Sequence, residues 1–439
     1  MEHKVPQSKT RDLVAVWTEF NQLALKHSGQ NFCHGVPGLA PPQFLLDELI
    51  EVIKVNMNNQ YAPVAGHLEL RNAIAKWWKP HFNGREINPL KEVLVTNGAI
   101  GSIYSIVNNM VSKGDFVHMF EPYYTQYINI IEFSGAGCRT SPMYTNEKGE
   151  WHFDFDHFEK SLDENSKLII LNNPHNPSGR IFTPEEIERL SKILEKWPQV
   201  TVLNDEVYFH LPFDGRKITS FANYSQANWD KSVNVYSAGK MLNCTGWKIG
   251  WTIGPEKLIA QAFYSHEATT FTNNVPGQVA IARCMETMWT KEYEGHANYL
   301  VYTQKTFMEG RDACIELLKK ATGIKFTPTV IESGYFMPVD VTGCEDKIPA
   351  KYFVKNVNYE DDPNTQVKQM MFPDSFEKVP LDFAMCRFLA CEHGISCMPV
   401  TNFCLHESKH ALHNYIRIAI CRPDTQFNNQ IMQDKFANL

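Results

Sequence analysis

The chain has 439 residues, more than one ordinary core accommodates and enough for two or three domains of roughly 150 residues each. Hydrophobic residues make up 43% and charged residues 21%, which argues against a disordered or fibrous chain. Lys+Arg 42 against Asp+Glu 49 leaves a net charge of −7, with no basic excess to hold nucleic acid by its phosphates. Met1-Glu2-His3-Lys4 leads into no continuous apolar run, so a secretory signal is not expected. The most apolar region, Val93 to Met110, is interrupted by Asn97, Gly98, Gly101 and Asn108 and reads as no membrane span. The 11 cysteines are odd in number and form no CxxC pair, which points to reduced thiols and a cytoplasmic protein.

In chain order, strand-like runs alternate with helix-like ones. Glu92 to Thr96 is a short β-rich run ending in the small-residue turn Asn97-Gly98-Ala99, followed by a helical stretch from about Ile100 to Val111. Asp115 to Phe120 and Lys167 to Asn172 read as further strands. Thr183-Pro184-Glu185-Glu186 starts a helix: Thr183 can cap, Pro184 suits the first turn, and Glu186 closes a capping box. Gln199 to Asn204 is a fourth strand, ending at Asp205, and Ser232 to Tyr236 is a fifth. Nearly continuous apolar strands joined by helices imply a parallel sheet covered on both faces, with ligands beyond the carboxyl ends of its strands. The polar residues just past those ends, Asn97, Asn176, Asp205 and Lys240, are therefore the ones to inspect. From about residue 300 a long helical run leads to strands such as Gly334 to Val339 and Tyr415 to Ile420, which suggests a smaller α+β domain.

Three segments carry the chemistry. Asn172-Asn173-Pro174-His175-Asn176-Pro177-Ser178-Gly179 is a turn-rich peptide after a buried strand. Asn204-Asp205-Glu206-Val207-Tyr208 puts a carboxylate and a phenol three residues apart at a strand end. Ser237-Ala238-Gly239-Lys240, followed by Gly246-Trp247-Lys248-Ile249-Gly250, supplies a hydroxyl, two lysines and several glycines. Alone, an Asn-Pro pair makes a turn, an Asp caps a helix and a Lys sits in water. Taken together, in order and each after a strand, they resist those readings.

With these residues the sequence resembles the fold-type I, pyridoxal-phosphate-dependent aminotransferases of class I/II, and within them the kynurenine aminotransferase and cysteine-S-conjugate β-lyase (glutamine transaminase K) branch. The resemblance runs from Val16-Trp17-Thr18-Glu19-Phe20 to Tyr415-Ile416-Arg417. It implies an α/β fold, in which a large domain with a mixed, mostly parallel sheet flanked by helices is joined to a smaller α+β domain. Residues 1–45 would form an N-terminal arm and part of the small domain, 46–300 the large cofactor domain, and 301–439 the small C-terminal domain.

By the same resemblance, Lys240 carries pyridoxal 5′-phosphate as an internal Schiff base and moves the proton, an act that requires an unprotonated amine. Asp205 pairs with the pyridine nitrogen, Tyr208 and Asn176 reach the ring's phenolic oxygen, and Tyr124 stacks on its face. Gly98, Ala99 and Ile100 offer the phosphate a helix N-terminus, joined by Ser237, Lys248 and, from a second subunit, Tyr61. Lys248 stands where many relatives carry Arg, so the charge is kept without the bidentate fork. Arg417 clamps the substrate α-carboxylate with Asn176, while Gly35 and Trp17 line the substrate pocket. The implied assembly is a homodimer whose active site is shared across subunits, acting on an amino acid and a 2-oxo acid.

Ile100, His175 and the segment Phe271 to Pro276 depart from the family pattern and are expected near the pocket. The pocket aromatics favour kynurenine or another bulky amino acid. A β-lyase or aminocyclopropane-carboxylate-synthase-like lyase starts from the same carbanion, and a non-catalytic regulator on this fold is a third reading. The cluster Cys404, His406, His410 and His413 includes histidines at i, i+4 and i+7 that would share one face if helical, yet the spacing matches no standard zinc module, and an exposed histidine-rich loop or helix with no metal is the expectation.

Overall fold

The computed structural model describes residues 16–439 apart from 28, 360–366, 371, 373–375, 377, 406, 409, 423–426 and 428. The chain begins with α1 (Val16–Lys26), β1 (Gln30–Asn31), α2 (Gln43–Ile53) and α3 (Leu68–Trp78). There follow β2 (Val93–Asn97), α4 (Gly98–Met110), β3 (Phe116–Glu121), α5 (Gln126–Ser134), β4 (Gly137–Thr145), β5 (Trp151–Phe153), α6 (Phe155–Ser161) and β6 (Ser166–Asn172). Next come α7 (Pro184–Glu195), β7 (Thr201–Asp205), α8 (Gln226–Asp230), β8 (Ser232–Ser237), α9 (Ala238–Met241) and β9 (Ile249–Ile253). Three helices, α10 (Glu256–Thr269), α11 (Val275–Thr290) and α12 (Tyr299–Leu318), lead to β10 (Thr327–Pro328) and β11 (Phe336–Asp340). The chain closes with α13 (Leu381–His393), β12 (Ile395–Ser396), β13 (Met398–Pro399), β14 (Tyr415–Ala419) and α14 (Gln430–Ala437).

Eight strands form the main sheet in the order β2-β9-β8-β7-β6-β3-β4-β5. The run β8-β7-β6-β3-β4 is parallel throughout, because each crossover carries a helix back over the sheet. Both faces are covered, so β6, β8 and β9 are buried almost end to end instead of alternating. The five strands expected from the sequence lie within two residues of β2, β3, β6, β7 and β8. The capping box on α7 is also present, with Thr183 Oγ1 accepting from the Glu186 N–H and Glu186 Oε2 accepting from the Thr183 N–H.

The mixed character of the sheet comes from β9, which runs antiparallel between β2 and β8, and from the antiparallel β5. Its short run Ile249-Gly250-Trp251 follows a glycine-rich segment and carries little strand signal of its own. Gly250 is required there: a Cβ would lie 2.5 Å from the Gly98 carbonyl carbon and 2.6 Å from the Ala99 nitrogen. That close approach draws the end of β2 and the start of α4 onto the β8–α9 turn.

The second sheet is antiparallel in the order β10-β11-β14-β13, and β1 pairs in parallel with β12. The N-terminal helix is pinned beside it by a wholly buried ion pair, Arg387 Nε to Glu19 Oε1 at 2.8 Å, with both side chains 0% exposed. Tyr359 OH and the Met370 N–H also donate to Glu19, at 2.5 and 2.7 Å. Two residues earlier on α1, Trp17 is thereby held toward the end of the main sheet.

Candidate active site

The carboxyl ends of β2, β6, β7 and β8 point to one edge of the main sheet, and the chain turns away from each at a polar residue. Beyond that edge lies a cavity of about 410 Å³, closed on the far side by β11, β14 and the turn after β1. Gly98, Ala99, Ile100, Tyr124, Asn176, Asp205, Tyr208, Ser237, Lys240, Lys248, Trp17, Gly35 and Arg417 all line it. Residues more than two hundred positions apart thus share one space. Tyr61 does not: it is 82% exposed, ring to ring with Phe271 at 5.7 Å, in a separate groove formed with Thr272 to Pro276.

One end of the cavity is built for an anion. The helix α4 starts at Gly98 with no side-chain cap from Asn97, so its first N–H groups are left to whatever occupies the cavity. Gly98 has φ +66°, and a Cβ there would sit 3.3 Å from Lys248 Nζ, so the ammonium lies close over the helix start. Lys248 is itself left-handed, at φ +57°. Ser237 adds a hydroxyl at the N-cap of α9.

In the middle stands Asp205, at the end of β7. Burial pushes its carboxyl up to about 6, while hydrogen bonds from Tyr127 and Val207 oppose the rise. Tyr127 OH donates to Oδ2 at 2.6 Å and the Val207 N–H to Oδ1 at 3.3 Å, so the carboxylate plane is held from both sides. Tyr127 also meets Tyr124 edge to face, with centroids 5.4 Å apart. The sequence offered one cue to Tyr127, its position three residues after Tyr124 on the first turn of α5.

Lys240 donates from Nζ to the Gly35 carbonyl at 2.9 Å, with the Tyr335 ring 4.7 Å and the Tyr208 ring 5.6 Å from the nitrogen. Its own carbonyl accepts from Tyr335 OH at 2.9 Å and lies 3.1 Å from His210 Nε2, which fixes the short helix that carries it. Burial lowers its ammonium to about 8; Arg417 and Lys248 act in the same direction, while Cys421 and Asp205 oppose it. His210 and Tyr335 were not legible beforehand. The first looks like any histidine in a turn, and the second reaches the site only through tertiary packing.

Arg417 on β14 closes the other end. It is 0% exposed, and burial lowers its guanidinium to about 10. Nη1 donates to Asn176 Oδ1 at 3.1 Å and Nη2 to the Cys33 carbonyl at 2.6 Å, while Nε has no partner. Phe336, Phe403 and Trp17 stand around it, with ring centroids 3.7, 4.5 and 5.2 Å away. A buried guanidinium with an orphaned N–H suits an incoming carboxylate.

Of the departures from the family pattern, Ile100 lines the cavity. His175 was expected near the pocket but is turned away from it. Its Nδ1 lies 2.8 Å from Ser178 Oγ, and burial drives the imidazole down to about 3. No helical histidine face forms among the described residues before β14, which follow the loop alternative. The residues before β14 adopt turns, His413 Nδ1 lies 3.0 Å from Thr401 Oγ1, Cys404 is buried, and His406 lies outside the described residues.

The family model for aminotransferase class I and II matches residues 29–432. The kynurenine--oxoglutarate transaminase of Dictyostelium discoideum is 28% identical over 423 residues, covering 93% of this chain and 91% of that protein. The probable kynurenine--oxoglutarate transaminase BNA3 of Saccharomyces cerevisiae is 31% identical over 438 residues, covering 95% and 90%. The crystal structure of Bna3p, a putative kynurenine aminotransferase from the same yeast, superposes with a TM-score of 0.83 at 28% identity, covering 99% of this chain and 100% of that one. The residues fit the cofactor of that family: an open helix start beneath an ammonium for a phosphate, a buried acid for a ring nitrogen, and a buried amine of depressed basicity between them. This chain belongs to the aminotransferase class I and II family and is a pyridoxal-phosphate-dependent aminotransferase.

Proposed function

We propose that this enzyme moves the amino group of kynurenine or another bulky amino acid, sulfur-containing ones and glutamine among them, to a 2-oxo acid. The observation that carries the reading is the setting of Arg417, a buried guanidinium with an unpaired Nε at the closed end of a cavity walled by Trp17, Phe336 and Tyr124. A carboxylate anchored there directs the rest of the amino acid along aromatic walls. The relatives named as kynurenine--oxoglutarate transaminases support the same substrate class.

When bound, pyridoxal phosphate supplies the electron sink that lets a proton leave the amino acid's α-carbon. Lys240 Nζ carries the cofactor and then holds that proton, for which a basicity near 8 is suited. Asp205 would pair with the ring nitrogen, Tyr208 and Asn176 would reach the phenolic oxygen, and Tyr124 would cover the ring face. Gly98, Ala99, Ile100, Ser237 and Lys248 hold the phosphate, Arg417 with Asn176 grips the α-carboxylate, and Trp17 and Gly35 border the side chain. Tyr61 acts in a second copy of this chain, since it and Phe271 are 82% and 51% exposed beside a groove. The active unit is then a homodimer of two-domain subunits, with residues 46–300 as the cofactor domain. Eleven free cysteines accord with a reducing, cytoplasmic setting.

The cofactor-loaded protein mixed with kynurenine and 2-oxoglutarate is expected to form kynurenic acid and glutamate, and Lys240→Ala to abolish both. Absence of any amino transfer from kynurenine, glutamine, methionine or phenylalanine would overturn the reading. Pyruvate release from β-substituted amino acids without amino transfer would make the enzyme a lyase.

A further inference from the structure

A chain of hydrogen bonds decides which nitrogen of His34 carries the proton. The Cys33 backbone N–H can only donate, and it does so to Asn31 Oδ1 at 2.9 Å. Asn31 therefore turns its amide nitrogen toward Asn21 and donates to Asn21 Oδ1 at 3.0 Å. That oxygen can only accept, so His34 Nε2, 2.5 Å away, is the donor. Burial lowers the imidazole's basicity, with Arg417 and Arg422 adding to the effect, and leaves it neutral at pH 7. A neutral imidazole protonated on Nε2 presents Nδ1 as a bare acceptor. That nitrogen has no partner among the described residues, nor is it one of the sealed polar atoms of the interior. The ring lies against Trp17, with centroids 5.0 Å apart and planes 21° from parallel, and lines the cavity beside Val36 and Gln126.

We propose that His34 is a specificity-determining residue of the side-chain pocket, whose Nδ1 accepts a hydrogen bond from an amide, amine or hydroxyl on the amino donor's side chain. The proposal rests on the transaminase reading above and narrows its substrate class to bulky donors that carry an N–H or O–H. An apolar side chain gains nothing from the acceptor. A side-chain carboxylate meets a lone pair and sheds water without a partner in exchange. The relay from the Cys33 amide keeps Nδ1 free, because a flipped tautomer would set two acceptors against each other at Asn21.

Glutamine and methionine are of similar length and differ in the terminal donor, so their ratio of kcat/KM reads the contact. In the cofactor-loaded enzyme, His34→Phe keeps a flat ring against Trp17 and removes the acceptor. It is expected to lower the glutamine-to-methionine ratio by about fivefold to tenfold with methionine little changed. His34→Gln, which can again offer an oxygen, is expected to restore much of the preference. Asn21→Leu, which frees the tautomer, should give an intermediate loss and serves if His34→Phe does not fold. An unchanged ratio in both His34→Phe and Asn21→Leu would overturn the proposal. If the wild-type enzyme transfers no amino group from glutamine, methionine, kynurenine or phenylalanine, the transaminase reading fails instead. The ratio of the glutamine and methionine Kd values by calorimetry, wild type against variant, then decides His34 by the same criterion.

Discussion

Lys240 and Arg417 are two cations buried within one cavity, where burial lowers the basicity of both and brings Lys240 within reach of the neutral amine. An ordinary lysine is protonated up to pH 10.5, whereas burial beside Arg417 and Lys248 brings Lys240 to about 8. Because the lowered value favours the neutral amine, capture of pyridoxal phosphate by the apoprotein should quicken as pH rises, with a midpoint of about 8, read from growth of the bound cofactor's absorbance. A midpoint near that of a free lysine would refute the assignment of the buried environment as the cause. Tyr127→Phe tests the neighbouring acid. It leaves Asp205 with the Val207 amide as its hydrogen bond among the described residues, which raises the carboxyl further above about 6. We expect cofactor affinity, measured by equilibrium dialysis, to fall by roughly tenfold while the apoprotein still folds. Asp205 was legible because its strand-end carboxylate falls in order with two other chemical segments, each after a strand. Tyr127 was not, since a tyrosine on a helix reads as packing until its hydroxyl is seen to point at the acid.

Two helix starts show how an element is spent on stability or on ligand. Thr183 and Glu186 close a reciprocal box on α7, whereas α4 receives no side-chain cap and turns its first N–H groups to the cavity. Thr183→Ala should therefore cost about 1 kcal/mol in urea unfolding and leave cofactor affinity unchanged. Gly98→Ala should cost a similar amount and weaken cofactor binding as well. Forcing a side chain to φ +66° costs about 1 kcal/mol, and the new Cβ would displace Lys248 Nζ from 3.3 Å, so affinity for the cofactor and competition by inorganic phosphate should both weaken. The capping box was readable because all its partners lie within four residues. The antiparallel β9 was not, since its register is dictated by β2 and β8 on either side.

At the scale of the molecule, the pocket exists because the first helix is tied to the last third of the chain. Glu19→Ala would strand Arg387 as an unpaired buried cation and is expected to cost about 3–5 kcal/mol in urea unfolding. The same change should raise KM for bulky donors, since Trp17 sits two residues away on α1. Glu19→Met combined with Arg387→Leu should recover most of the stability. Local patterning was sufficient for the parallel strands, the α7 cap and the three chemical segments, because periodicity, turn residues and capping spacing act over a few residues. It also carried the likeness to one family and with it the cofactor. Only the tertiary structure decided that Arg417 keeps an unpaired Nε, that His175 turns to Ser178 while His34 faces the cavity, and that Tyr127, His210 and Tyr335 steady the central groups. Those facts depend on burial and on packing between separate elements of the fold, and neither quantity is written in any short stretch of sequence.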